Sequence, residues 1–223
     1  MNPRRARENP ETAAAAIPLS RRLREHTRAI HRRAEQSGVI GRMISGRIDV
    51  RSYGLLLRNL LPVYSEMEQR LRRVPHNAAL QLLATPGLAR APALSHDLDA
   101  LCGPDWRSSL PLLTGGERYR DRIACCDPGR LIAHAYVRYF GDLSGGQLLR
   151  DRLRDSAGLP ESALSFYTFP GIDDRVKFKA EIRSAMDRLS GDLDDSVVLT
   201  EAVEAFELNI ELSEEIARHR GAT

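Results

Sequence analysis

The run AHAYVRYFGDLSGGQLLRDRL, residues 133–153, decides how this chain is read. Its periodicity is helical, yet Gly141, Gly145 and Gly146 stand in the middle beside one acid, Asp142. A glycine inside a helix costs about 0.5–1 kcal/mol relative to alanine. Three together imply that something approaches the backbone closely, or that the helix bends. At 3.6 residues per turn, Ala135, Arg138, Asp142 and Gly145 share one face, small and flat apart from a carboxylate. A planar ligand suits such a face. A close helix–helix crossing, with Asp142 capping a broken helix, suits it equally well.

Working outward, nearly every segment repeats at helical spacing. Residues 19–37 place Leu23, Ile30 and Ala34 on one side of a helix and arginines opposite. Asp49 is placed to cap a long helix through about Arg73, interrupted by Pro62, which kinks it or leaves a gap in its ladder. Shorter helices are expected near 77–84, 94–102 and 116–125. A long one spans about 129–157, ended by Gly158, and the last two span about 172–190 and 196–219. The SFYTF run, 165–169, reads as a loop. The fold class is all-α, a single-domain helical bundle.

With 223 residues, the chain is long enough for one domain with a substantial core. A net charge of +3 gives no bulk signal for a nucleic-acid partner. Of 33 basic residues only Lys177 and Lys179 are lysines. Three cysteines, Cys102, Cys125 and Cys126, are an odd set with an adjacent pair; they suit a reducing cytoplasm better than a disulfide framework. No apolar run approaches the ~20 residues of a membrane span, so no membrane anchor is expected. Residues 1–17 read as a disordered extension, 18–219 as the domain and 220–223 as a short tail.

Among six histidines, His31 has Glu35 four residues on, on the same face. That carboxylate can accept from Nδ1–H and leave Nε2 free for a metal. Arg24 and Arg28 lie on the same side of the helix. A solvated His–Glu pair is the plainer alternative, and His26 is a rival with Ile30 where an acid would be needed. Lys179 and Arg183 form an i,i+4 pair of cations, which repel unless an anion lies between them; a solvated basic stripe is the alternative.

The 133–153 run resembles the signature of the heme oxygenases, matching at Tyr136, Arg138, Tyr139 and throughout Gly141–Gln147. Three further segments are similar to that family in the same order: LREHTRAIHRRAE (23–35), SFYTFPGIDDRVKFKAEIR (165–183) and AFELNIEL (205–212). The resemblance covers roughly residues 18–218. It implies a heme b sandwiched between a proximal N-terminal helix bearing the iron ligand His31 and a Gly-kinked distal helix. Heme would be both cofactor and substrate, opened with O2 and external electrons to biliverdin, carbon monoxide and ferrous iron.

Gly141 and Gly145 would crowd the iron, and Asp142 would act through ordered water. Arg138, Tyr139, Tyr64 and Asn209 resemble the family's distal network. Lys179, Arg183 and Tyr136 would meet the heme propionates, and Phe206 keeps an aromatic of the last helix. Val137 replaces a familiar threonine, and Ser213 a familiar aromatic. Electrons would come from a ferredoxin or flavoprotein reductase, docked on the arginines of the first helix, to a monomeric cytoplasmic enzyme. A heme-binding or heme-sensing protein on the same fold is the second reading, and a helical scaffold without heme the third.

Overall fold

The computed structural model describes residues 17–74, 78–189 and 193–219. Apart from Ile17, the expected disordered start lies outside the described residues, as does the tail at 220–223. Ten α-helices follow in order: α1 Leu19–Gln36, α2 Gly38–Ile44, α3 Val50–Arg73, α4 Ala78–Leu83, α5 Ala91–Cys102, α6 Trp106–Ser109, α7 Thr114–Ala124, α8 Pro128–Ala157, α9 Arg175–Arg188 and α10 Asp195–His219. Single 3-10 turns at Pro86–Leu88, Glu161–Ala163 and Ser165–Tyr167 connect some of them, and the described residues form no β-sheet.

Local chemistry explains the ends. The Asp49 carboxylate accepts from Ser52 N–H at 2.9 Å and starts α3. Asp127 accepts from Arg130 N–H at 2.9 Å, with Pro128 in the first turn, and starts α8. Both satisfy amide donors that have no partner inside the helix. Gly158 ends α8 at φ +66°, a left-handed conformation that favours glycine. The α3 helix carries through Pro62. Likewise α8 is one helix through all three glycines, so Asp142 caps no break.

The long α10 organises the molecule: α8, α1, α2 and α7 all pack along it. The side of α1 that faces the core carries Leu19, Leu23, Thr27 and Ile30, at spacings of four, four and three residues. The α8 and α1 helices do not form a packed pair with each other, although both lie on α10. That separation positions the site.

The α2 helix carries no clear signal in sequence, because its turn depends on a distant residue. Gly38 has φ +46°, and a Cβ there would lie 2.2 Å from the Ser213 carbonyl oxygen. The Ser213 hydroxyl donates to Ser37 O at 2.9 Å and accepts from Ile40 N–H at 3.1 Å. Ser213 is therefore a docking point for the α1–α2 turn, which accounts for a small residue there.

Candidate functional site

The α1 and α8 helices, both packed on α10, differ in chemistry. On α1, His31 has a side chain about half exposed, with Nδ1 3.6 Å from the Glu35 carboxylate. Its ring stands edge-on to Phe206 of α10, centroids 5.7 Å apart. Nε2 has no hydrogen-bond partner among the described residues. On α8, Gly141 and Ser144 are exposed and Gly145 half-buried. A Cβ added at Gly141 or Gly145 would meet nothing within 4 Å, whereas one at Gly146 would come 3.1 Å from the Tyr167 ring. Two of the three glycines therefore border open space, and the third serves packing.

This refines the flat face expected through Ala135, Arg138, Asp142 and Gly145. Ala135 and Asp142 turn to the core, while Gly141, Ser144 and Gly145 line the opening.

Behind the glycines lies a hydrogen-bonded chain from four helices. The Tyr64 hydroxyl of α3 donates to Asp142 Oδ2 of α8. Arg138 Nε donates to the Tyr64 oxygen at 2.9 Å, and Arg138 Nη1 donates to Asn209 Oδ1 of α10. The third guanidinium nitrogen, Nη2, lies 3.9 Å from Asp142 Oδ1. The Asn209 amide donates in turn to Ala205 O at 3.1 Å and to the Tyr119 hydroxyl at 3.4 Å.

Burial pushes the Asp142 carboxyl above its ordinary range, while Arg138, the Tyr64 hydrogen bond and Arg90 pull it back. Burial also drives the Tyr64 phenol well above its ordinary value, so it stays a proton donor. Four of the five expected distal residues meet in this chain. Tyr139 stands aside: its ring is 6.1 Å from that of Tyr64, and it lines a small cleft with Glu68, Arg72 and Thr85. Tyr119 joins the chain unforeseen; it lies 90 residues from Asn209.

Cations gather where α9 meets α8. Lys179 Nζ of α9 donates to the Ser144 hydroxyl at 2.8 Å. The Arg183 guanidinium lies 5.1 Å over the Phe140 ring, which packs on Tyr136 at 4.7 Å. Burial raises the Tyr136 hydroxyl, and the nearby charges of Arg183 and Arg24 lower it again. Burial, then Arg183 and Arg175, hold the Lys179 amine below its usual value. Positive charge without a neutralising carboxylate is what an anionic ligand edge requires. Arg28 is exposed on α1 and makes no ion pair among the described residues.

The matches with known proteins bear on this arrangement directly. The heme oxygenase family model matches residues 17–215. The chain belongs to the heme oxygenase family. It is 34% identical over 205 residues to heme oxygenase 1 of Synechocystis, a match covering 90% of this chain and 85% of that one. It is 35% identical over 218 residues to heme oxygenase 1 of Rattus norvegicus, covering 94% and 75%.

Among solved structures, Synechocystis heme oxygenase-1 in complex with heme superposes with a TM-score of 0.84 at 33% identity, covering 91% of this chain and 94% of that one. The heme oxygenase of Leptospira interrogans gives 0.82 at 34% identity, covering 89% and 100%. The all-α reading holds in the family's own fold. No described helix is long and apolar enough to cross a membrane.

One buried cluster lies outside this site. His134 Nε2 is 2.8 Å from Glu201 Oε1, and the Cys126 thiol is close to both. Arg122 grips both Glu201 oxygens, and Arg130 adds a contact at 3.4 Å. The cluster holds α7, α8 and α10 together. With its carboxylate occupied by two guanidiniums and the Cys126 thiol pushed up to about 12 by burial, it is a structural knot rather than a metal centre.

Proposed function

We propose that this chain is a working heme oxygenase, opening heme b with O2 and donated electrons to biliverdin, carbon monoxide and ferrous iron. One observation carries the proposal: of two helices that both pack on α10, one bears a half-exposed imidazole and the other open glycines backed by a buried carboxylate. The residues fit heme. His31 would supply a nitrogen ligand, with the Glu35 carboxylate 3.6 Å from its other ring nitrogen. Gly141 and Gly145 leave room for a flat macrocycle, with Phe206 at its proximal flank. Arg24, Arg28, Tyr136, Lys179 and Arg183 are assigned to the propionates.

When bound, heme supplies the iron chemistry of O2 and the carbon that is oxidised. The protein supplies orientation and protons. With heme held, the backbone at Gly141 and Gly145 would limit the space over that face of the ring. Asp142 holds ordered water and passes protons through it. A carboxylate held back from direct contact donates less abruptly than a distal histidine and arginine would. Tyr64 and Arg138 fix the Asp142 oxygens, and Asn209 fixes Arg138. Such a chain must be fully hydrogen-bonded to persist in a buried place. Tyr139 contributes packing against Tyr64.

A ferredoxin or flavoprotein reductase is the partner assigned to the arginine-rich α1, where Arg21, Arg28, Arg32 and Arg33 are exposed and Arg22 partly so. Complementary charge there serves the rate of encounter. The protein is read as a cytoplasmic monomer.

Stoichiometric heme loading, then reductant and air with pigment extraction, tests the proposal. Biliverdin is expected. A stable heme complex that no reductant opens would favour the heme-sensing reading.

A further inference from the structure

The α1 helix enters its first turn without a cap of its own. Pro18 holds the N-cap position and offers no side-chain acceptor, and no acid lies in the first turn. The missing acceptor comes from the far end of the chain. Asp187, in the last turn of α9, accepts from Ser20 N–H at 2.8 Å through Oδ1 and from the Ser20 hydroxyl at 2.9 Å through Oδ2. Both carboxylate oxygens are thus turned to α1. A carboxylate in the last turn of a helix opposes that helix's own dipole, whereas at the first turn of another it is favoured. Asp187 therefore serves α1 at some cost to α9.

The core holds the two helices unequally. The α1 helix buries Leu19, Leu23, Thr27 and Ile30, packs along α10, and adds an ion pair from Arg22 to Asp195 at 2.6 Å. By contrast, α9 buries only Ile182, Ala185 and Met186 of its 14 residues, and packs on α1, α4 and α8. Toward α8 it offers the Lys179 amine on Ser144 and the Arg183 guanidinium over Phe140. Groups that must turn to an anion when it arrives make poor permanent anchors.

We propose that Asp187 is a positioning residue: by clasping α9 to the first turn of α1, it sets the spacing between the helix of His31 and the cations of α9. The two helix faces that meet at the clasp carry the binding groups. Four-residue steps from Ser20 reach Arg24 and Arg28 on α1, and the same steps back from Asp187 reach Arg183 and Lys179 on α9. Arg24 and Arg183 are both close enough for their charges to act on the Tyr136 hydroxyl of α8. A clasp at the head of both stripes fixes their separation before the ligand arrives, which lowers the ordering cost of binding.

The inference rests on heme as the ligand of this site, so its test has a heme-free arm. Asp187→Ala removes the clasp. Adding Pro18→Asp gives α1 a local cap, able to accept from the same first-turn amides without touching α9. Asp187→Ala should melt about 2–4 °C lower, and the double variant should recover that loss. Spin labels on cysteines placed at the exposed Ala29 and Ser184, with Cys102 and Cys125 replaced by serine, read the α1–α9 distance without heme. The distribution should broaden in Asp187→Ala and stay broad in the double variant. Heme transfer to apomyoglobin then reads retention without reductant or O2. Both variants should lose heme about tenfold faster, the low end of what an orienting support contributes.

A distance that narrows again in the double variant, or heme retention restored along with the melting temperature, would make Asp187 a helix cap only and overturn the proposal. An unchanged distance in Asp187→Ala would overturn it as well. If the natural protein holds no heme, the functional reading fails, and the label distances still decide the clasp.

Discussion

Replacing Gly141 and Gly145 by alanine, singly and together, should separate stability from function in opposite directions. Both glycines sit inside a continuous helix at ordinary helical backbone angles, and their added methyls meet nothing. Each substitution should therefore stabilise the heme-free protein by about 0.5–1 kcal/mol, from helix propensity alone. For a domain of this size, 1 kcal/mol moves Tm by about 2–4 °C, so the double variant should melt roughly 2–8 °C higher.

Gly146→Ala is the internal control. Its methyl would press on Tyr167 at 3.1 Å, which offsets the same gain. With heme loaded the order should invert, because the methyls intrude on the ligand's face. An overpacked contact costs about 1–3 kcal/mol, or roughly 5- to 150-fold in affinity. Calorimetry of the heme-free proteins and heme titration would read both effects. Higher Tm with unchanged heme affinity and turnover would refute the assignment of this wall to the ligand.

His31→Ala should lose the native heme spectrum and nearly all turnover, with part restored by added imidazole; an unchanged Soret band and full activity would remove His31 from the site. Lys179→Ala with Arg183→Ala should weaken heme binding by roughly 1.5–3 kcal/mol per shielded contact, less where wet, and yield mixed biliverdin isomers on product chromatography. Heme affinity should also fall as pH rises through the lowered titration of Lys179, since the amine loses its charge.

In the structural knot, Glu201 is held down to about 2 by His134 and Arg122, against an unfolded value near 4.5. Its contribution is fully present above pH ~4.5 and lost as pH falls through about 2. Glu201→Gln should flatten acid denaturation over that window, followed by circular dichroism.

Much of this was readable in one dimension because it depends on neighbours in sequence. Asp49, Asp127 and Gly158 mark helix ends by chemistry within a few residues. His31 and Glu35 are one turn apart, and the glycines with Asp142 are contiguous. What escaped depends on partners far along the chain. The α2 turn needs Ser213, some 175 residues away. Asp187 finds Ser20 across 167 residues, and Glu201 finds His134 across 67 residues.

Tyr139 was placed with the distal residues by its position in the motif. Only the packing of α8 on α3 shows that its hydrogen-bonding end does not join the Asp142 chain. Asp142 itself was set on the glycine face by helical spacing. A rotation of a few tens of degrees turns it into the core, which periodicity alone does not resolve.

The measurement that bears most directly on the central claim is single turnover of the Asp142→Ala variant beside the natural protein. Both are loaded with heme, reduced anaerobically and exposed to O2. The expected result is equal heme stoichiometry, biliverdin from the natural protein, and a rate lowered by about 10²–10⁴ in the variant, the worth of a positioned acid. Biliverdin from Asp142→Ala at the natural rate would contradict the account.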